Sequence, residues 1–278
     1  MRYFILLLWT LICAQPVFAE GNIWNESFNK SKKMLLEDVY RDHRLTFYCE
    51  AAFDARGQVT PPEGFTVRVH AKRAVRVEWE HVVPAENFGR TFAEWREGHA
   101  QCVDGRGKAF RGRKCAEKTN PEYRRMQADM YNLYPSIGAV NAVRRNYNFQ
   151  MLPGATAAFG SCAMKIDGTK VEPPAPARGA IARTYKYMAA VYPRYQMSRQ
   201  QRQLMDAWDR QYPVDAWECR RAARIARIQG NENPFVAVPC RRASLEQMPA
   251  VRPQTEAAEN LLLLFSDSET SRPATSQK

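Results

Sequence analysis

The 278-residue sequence predicts an α+β domain held together by disulfides, and three observations predict it. Apolar residues alternate with polar ones at Phe65, Val67 and Val69 and again at Val75, Val77 and Trp79, the two-residue period of half-buried strands. Apolar stripes at helical spacing recur between Phe28 and Tyr40, after Pro121, and from Ala180 onward. Seven cysteines are present, and the six left once a leader carrying Cys13 is set aside are an even number, which favours bridges in an exported chain.

The leader is the first element. Met1 and Arg2 precede the apolar run Tyr3 to Cys13, and Val17, Phe18, Ala19 resembles a small-residue cleavage site before Glu20. Residues 1–19 therefore read as a secretory signal peptide. Their apolar run is too short for an ordinary membrane-spanning helix, so no retained anchor is expected and the expected location is periplasmic or secreted; a monomer is expected besides. Residues 20–240 are long enough for one domain with a sizeable core. Residues 241–278 are rich in Ser, Thr, Pro and Glu and read as a disordered tail, with Leu261 to Phe265 as a short docking peptide.

The chain carries 41 basic and 29 acidic side chains, and 40 basic ones remain once Arg2 leaves with the leader. The tail holds five of each sign, so the whole surplus of +11 falls within residues 20–240. A basic folded domain suits polyanions, although a surface kept basic for solubility or for an anionic envelope has the same composition.

Phe28 to Tyr40 reads as a helix, Leu45 to Phe53 as extended, and Gln58 to Gly64 as a turn. The runs at Phe65 to Val69 and Val75 to Trp79 are expected to pair as antiparallel strands across Ala71 to Ala74. His81 sits where the second strand ends, Val83 is held extended by Pro84, and Asn87 to Gly89 reads as a turn. Asn120 before Pro121 starts a helix whose inward face is Tyr123, Met126, Met130 and Leu133, with Asp129 and Asn132 on an adjoining side. Pro173, Pro174 and Pro176 form a connector. Helices are then expected over Ala180 to Val191, Ser198 to Tyr212 and Trp217 to Ile228, and Gln229 to Phe235 as packing and capping structure.

Several residue groups suggest chemistry, each beside a plainer reading. Neighbours on a strand face opposite ways, so Glu80 and His81 suit a split of roles, with Glu80 holding a metal and His81 facing a water. A histidine between apolar residues is also an ordinary structural residue. Between Cys102 and Cys115, Gly105, Gly107 and Gly112 interleave with Arg106, Lys108, Arg111, Arg113 and Lys114, a pattern for gripping phosphates or simply a solvated basic loop. Asn132 offers an amide oxygen to a hard cation or serves as a helix cap before Pro135. Arg178 and Arg183 either reach phosphates or line a solvated helix face. The six cysteines allow fifteen pairings, and a zinc site at His99, Cys102 and Cys115 is an alternative that lacks paired CxxC spacing.

The stretch VEWEHVVPAENFG from Val77 to Gly89 resembles the active-site motif of the bacterial endonuclease I family, exported deoxyribonucleases of the ββα-metal, or His-Me finger, class. Further matches are GRKC at Gly112 to Cys115, DMYNLYPSIG at Asp129 to Gly138, RGAIART at Arg178 to Thr184 and QGNENPF at Gln229 to Phe235. The resemblance implies a ββα-metal core with additional helices, His81 as general base, and Glu80 and Asn132 as ligands of one magnesium ion. It implies Arg113 at the scissile phosphate, and bridges Cys49 to Cys162, Cys102 to Cys115 and Cys219 to Cys240. The sequence departs from the family where relatives carry a further cysteine, here Ala51, a glutamate, here Ala139, and a Gly-Asp pair, here Ala142 and Val143. Asn141, Arg144 and Asn146 still fit.

The resemblance thus implies magnesium-dependent hydrolysis of DNA without sequence preference, extending to RNA, to products with 5′ phosphates. His81 is expected to titrate near neutral pH. Two other classes share the features: a basic disulfide-bonded protein that binds nucleic acid or envelope polymers without cutting, which would not need Glu80, His81 and Asn132 together, and a ribonuclease, which would keep all three.

Overall fold

The computed structural model describes residues 20–245. The leader expected over residues 1–19 and most of the expected tail, including Leu261 to Phe265, lie outside the described residues. Arg241 and Arg242 belong to the last helix, so helical structure continues past Cys240.

Helix α1 (Phe28–Met34) opens with Ser27, whose hydroxyl accepts from the Lys30 amide and satisfies one of the unpaired first-turn donors. It runs on into a π-type turn, Leu35–Val39, closed by the Tyr40 amide on the Leu35 carbonyl at 2.8 Å. Leu35, Val39 and Tyr40 face the core, as their spacing anticipated. Two short strands, β1 (Ala52–Phe53) and β2 (Val59–Thr60), then pair antiparallel.

Strand β3 (Val77–His81) takes a partner the periodicity did not identify. Its ladder is with β4 (Leu133–Ile137), antiparallel, with Glu80 opposite Tyr134 and His81 opposite Leu133. The run from Phe65 does not pair with β3, since His70 turns left-handed (φ 61°) and Ala71–Arg73 coil into a 3-10 turn between them; Phe65 instead bridges Gly160 antiparallel. Val69 and Val75 remain 54% and 50% exposed, so the alternation there marks no buried face. Strand β4 was hidden for the opposite reason. It is buried at all five positions and does not alternate. Its Pro135 is tolerated because that residue's polar edge faces away from β3, where its carbonyl accepts from the Phe47 amide at 2.7 Å.

Between β3 and β4 come α2 (Ala85–Gly89), where a turn was expected, α3 (Ala93–Arg96), α4 (Arg113–Thr119) and α5 (Pro121–Ala128). Asn120 caps α5 as its sequence suggests. The helix stops five residues short of Leu133, because Asp129 turns its side chain onto the Tyr131 amide and starts a 3-10 turn, Met130–Asn132. Helix α6 (Gly138–Arg144) follows β4 directly. A Cβ at Gly138 would lie 2.6 Å from the Arg73 carbonyl, so only glycine lets α6 begin against the loop before β3. Ala139 is fully buried on this helix, which gives the departure from the family glutamate a packing role.

Strands β5 (Asn148–Phe149), β6 (Ala157–Phe159), β7 (Cys162–Asp167) and β8 (Lys170–Glu172) form a second sheet in the order β5-β8-β7-β6, parallel only between β5 and β8. Four helices complete the domain: α7 (Ala175–Val191), α8 (Arg199–Gln211), α9 (Ala216–Gln229) and α10 (Pro234–Arg242). Helix α7 starts earlier than anticipated because Pro176 fits its first turn. Ser198, Asp215 and Asn233 cap the other three, and left-handed Gly230 ends α9, so Gln229 to Phe235 caps structure as expected.

The disulfides are Cys49–Cys162, Cys102–Cys115 and Cys219–Cys240, the pairing the resemblance implies. The second bridge uses both thiols that a zinc site with His99 would require, which removes that alternative. Ala51, where relatives carry a further cysteine, is packed in the core.

Asp129 joins the helices to the strand pair. Its buried carboxylate accepts from the hydroxyls of Tyr187 (2.8 Å) and Tyr192 (2.7 Å), from Gln229 Nε2 (2.9 Å) and from the Tyr131 amide (3.0 Å). Each buried donor left unpaired costs about 1–3 kcal/mol. Urea unfolding of Asp129→Ala is therefore expected to show a loss of about 3 kcal/mol or more; wild-type stability would mean that these donors find other acceptors.

Candidate active site

Strand β3 has β4 as its one ladder partner, and on its other side the Val77 amide donates to the Gly57 carbonyl at 2.8 Å. Past that contact the strand borders a cleft of about 1110 Å³. Because the cleft meets the edge of the strand, residues from both strand faces reach it, and Glu78, Glu80 and His81 all line it.

His81 is 7% exposed, packed 4.9 Å from the Phe28 ring. Its Nε2 lies 2.9 Å from the Gln127 carbonyl, which can only accept, so the ring proton sits on Nε2 and Nδ1 keeps the lone pair. Burial, and then the Arg113 cation, push the imidazole pKa down to about 3. The expectation of titration near neutrality is thereby corrected: the ring is neutral across the neutral range.

Glu80 is buried beside it, and its Oε1 accepts from the Tyr48 hydroxyl at 3.0 Å and forms an ion pair with Arg144 Nη1, also at 3.0 Å. Burial pushes its carboxyl up to about 6, with Arg144 and Tyr48 pulling the other way. Oε2 makes no hydrogen bond among the described residues. Arg144, 1% exposed at the end of α6, also donates to the carbonyls of His81 (2.9 Å) and Val82 (2.6 Å).

Asn132 does not join this group. Its Oδ1 accepts from the Val83 amide at 2.7 Å and its Nδ2 donates to the Val83 carbonyl at 2.9 Å, so both ends of the carboxamide are spent on splinting the chain after His81. It is fully buried and does not line the cleft. Two asparagines do line the cleft, Asn141 of α6 and Asn146 just after it, whose Nδ2 donates to Glu86 Oε2 at 2.8 Å. Asn141 is the one beside Glu78: its Nδ2 donates to Glu78 Oε2 at 3.4 Å, and its Oδ1 is unbonded among the described residues. Within Gly138 to Val143, Asn141 is the one polar side chain, which is the signal that marks it.

Arg113 opens α4 and lines the cleft. Arg106 and Lys108 are exposed on a tight hairpin tied by the Asp104 amide on the Lys108 carbonyl at 2.9 Å, Arg111 is exposed just after it and Lys114 on α4, and none of the four lines the cleft. Arg178 and Arg183 are not available to phosphates. Arg178 donates to Glu172 (2.8 Å) and Tyr212 (3.1 Å), and Arg183, 2% exposed, pairs with Glu218 and Asp209. Their charges are neutralised inside the domain. The cleft instead gains Lys32, Lys33, Arg56, Arg73, Arg76 and Arg145, so seven cations with Arg113 face Glu78, Glu80 and Glu86. Such an excess in a concave site attracts a polyanion. Arg73 and Arg76 both pair with Glu78.

The oxygen donors at the cleft, carboxylates and carboxamides including that of Asn141, fit a hard divalent cation. No group of three or more His, Cys, Asp or Glu that could hold a metal occurs among the described residues.

The His81 geometry predicts its NMR signature in the DNA-free protein. Imidazole ¹⁵N shifts should report a neutral ring with Nε2 protonated from pH 8 down to about 4, given a pKa of about 3. The unfolded chain binds that proton below its ordinary pKa of about 6.5, so this group removes stability as pH falls between the two values. An imidazolium already populated at pH 6 would contradict the buried, Arg113-facing environment.

The chain matches the family described as Endonuclease I over residues 22–240. An extracellular deoxyribonuclease of Aeromonas hydrophila is 42% identical over 218 residues, covering 76% of this chain and 89% of the relative. A periplasmic deoxyribonuclease of the same organism is 40% identical over 238 residues, 83% and 92% of the two chains. Endonuclease-1 of Buchnera aphidicola subsp. Baizongia pistaciae (strain Bp) is 36% identical over 228 residues, 79% and 86%. With a family match across the described domain and relatives this similar over most of their length, the chain belongs to the endonuclease I family.

Proposed function

We propose that the protein is an exported endonuclease that hydrolyses phosphodiester bonds in DNA, with His81 as general base, on a ββα-metal core formed by β3, β4 and α6. The observation that carries this reading is the His81 ring, with its proton committed to the Gln127 carbonyl and its Nδ1 lone pair uncommitted, on the wall of a cleft with seven cations. A protein that only bound nucleic acid would need the cations but not a buried imidazole fixed in one tautomer. The extracellular and periplasmic relatives, together with three disulfides, support an oxidising location.

His81 Nδ1 takes a proton from water as that water attacks phosphorus. The ring is neutral beforehand because burial and Arg113 disfavour its charge. A bound phosphate offsets Arg113, raising the ring's proton affinity as the transfer requires. Arg113 steadies the scissile phosphate by charge and hydrogen bonding. Glu80 and Asn141 would hold one magnesium ion, in place of the Glu80 and Asn132 pair that the resemblance implies. When bound, such an ion stabilises charge building on the phosphate and on the leaving 3′ oxygen, so products carry 5′ phosphates. The groups assigned here act on the phosphate and the water rather than on base or sugar, and cleavage without sequence preference, extending to RNA, is the corresponding expectation.

Plasmid digestion with magnesium and with chelator tests this reading. His81→Ala is expected to lose about 100- to 10,000-fold in turnover while still binding DNA and metal. Glu80→Ala and Asn141→Ala should weaken metal binding, with partial rescue at high magnesium that His81→Ala does not share. Asn132→Ala should lower the unfolding midpoint instead, because it leaves the Val83 amide and carbonyl without their partner. Wild-type cleavage by purified His81→Ala would refute the mechanism.

A further inference from the structure

We infer that Arg145 is a substrate-gripping residue, held in a strained backbone so that its guanidinium stands on the cleft wall to bind a DNA phosphate; this rests on DNA being the substrate. Arg145 has φ 52° and ψ −133°, a conformation that costs any residue with a Cβ and that ordinarily falls to glycine. Four non-glycine residues have positive φ among the described residues, Glu50, His70, Arg145 and Ser244, and Arg145 alone of these lines the cleft.

Its surroundings impose the strain from both sides. Arg144 Nη1 donates to the Arg145 carbonyl at 3.4 Å and to the His81 carbonyl at 2.9 Å, so one buried nitrogen ties the strained peptide to the peptide of the proposed base. On the other side, Asn146 Nδ2 donates to Glu86 Oε2 at 2.8 Å and anchors the next residue to the cleft wall. The Arg145 guanidinium itself is exposed. Its one side-chain hydrogen bond among the described residues is a 3.5 Å contact to the Tyr147 hydroxyl, and no carboxylate pairs with it. Arg73 and Arg76 on the same cleft each pair with Glu78, which they share, whereas Arg145 has no carboxylate partner among the described residues and adds its full charge to an electropositive wall. Strain and unpaired charge both raise the energy of the free protein, and a phosphate oxygen accepting from the guanidinium offsets the second.

The two contributions separate by substitution. In a His81→Ala background, binding of a short DNA duplex is measured in calcium across a salt series, together with thermal unfolding of the free proteins. Arg145→Ala and Arg145→Gly are both expected to weaken binding about 10-fold at moderate salt and to lower the salt slope by roughly one contact. Arg145→Lys should keep part of the affinity. Arg145→Gly alone relieves the backbone, and its unfolding midpoint should rise by about 2 to 4 °C. Unchanged affinity in Arg145→Ala overturns the inference. So does an Arg145→Gly protein no more stable than its parent, because the strain would then be absent and general loosening would account for the lost binding. A His81→Ala parent that binds no DNA would defeat the nuclease reading itself, a different outcome from a parent that binds and is indifferent to residue 145.

Discussion

The buried guanidinium of Arg144 is the contact on which the end of β3 depends. It meets the Glu80 carboxylate and two successive backbone carbonyls while lying 4.6 Å over the Phe149 ring. A buried ion pair is weak evidence for net stability, since desolvating both charges cancels much of the attraction, but breaking one after burial costs about 3–5 kcal/mol. Its consequence is positional. Arg144 and Tyr48 occupy one carboxylate oxygen of Glu80 and leave the other, while the His81 and Val82 carbonyls are fixed by the same side chain. Tyr48 in turn adjoins Cys49, whose bridge to Cys162 ties that loop to the second sheet. Orientation of the site thus runs from a disulfide and a helix end into a five-residue strand.

Glu80 and His81 show why neighbouring residues behave differently in one buried place. Burial penalises the charged form of each, raising the acid and lowering the base. Arg144 partly reverses the effect on Glu80 because it is an opposite charge, whereas Arg113 reinforces it on His81 because it is a like charge. The result is a carboxylate able to stay ionised beside a cation and an imidazole kept neutral. A bound phosphate changes this balance most at His81, since Arg113 is then shared between the ring and the substrate.

Much of this was legible in the sequence where the signal is local. The extended run at β3, the helix start at Asn120, and the amphipathic spacing of α8 and α9 all state their structure within a few residues. The family resemblance supplied the disulfide pairing, which geometry in a sequence cannot. What stayed hidden depends on distant partners. Strand β4 has no alternation because both its faces are covered, so its five apolar-leaning residues read as the end of a helix. Asn132 and Asn141 are chemically identical and nine positions apart, and what separates them in the fold is the Val83 peptide, which consumes the carboxamide of Asn132, and the cleft, which Asn141 lines. The α2 turn of helix was missed because an Asn-Phe-Gly run carries no helical preference of its own.

The same principle sorts the arginines, and it explains why net charge located the partner class but not the surface. Arg178 and Arg183 lie in a motif the family shares, yet Glu172, Glu218 and Asp209 lie against them, so they act as internal struts. Each of these pairs adds nothing to the external field beyond a dipole. The cleft cations come from α1, the turn after β1, the loop before β3, the first residue of α4 and the end of α6, segments far apart in sequence, and no stretch of chain is basic enough to announce them. Within that set, Arg73 and Arg76 share Glu78, while Arg113 and Arg145 make no ion pair among the described residues. A basic residue available to phosphate is therefore one whose charge the fold leaves unpaired on a concave wall, and that property belongs to tertiary structure rather than to composition.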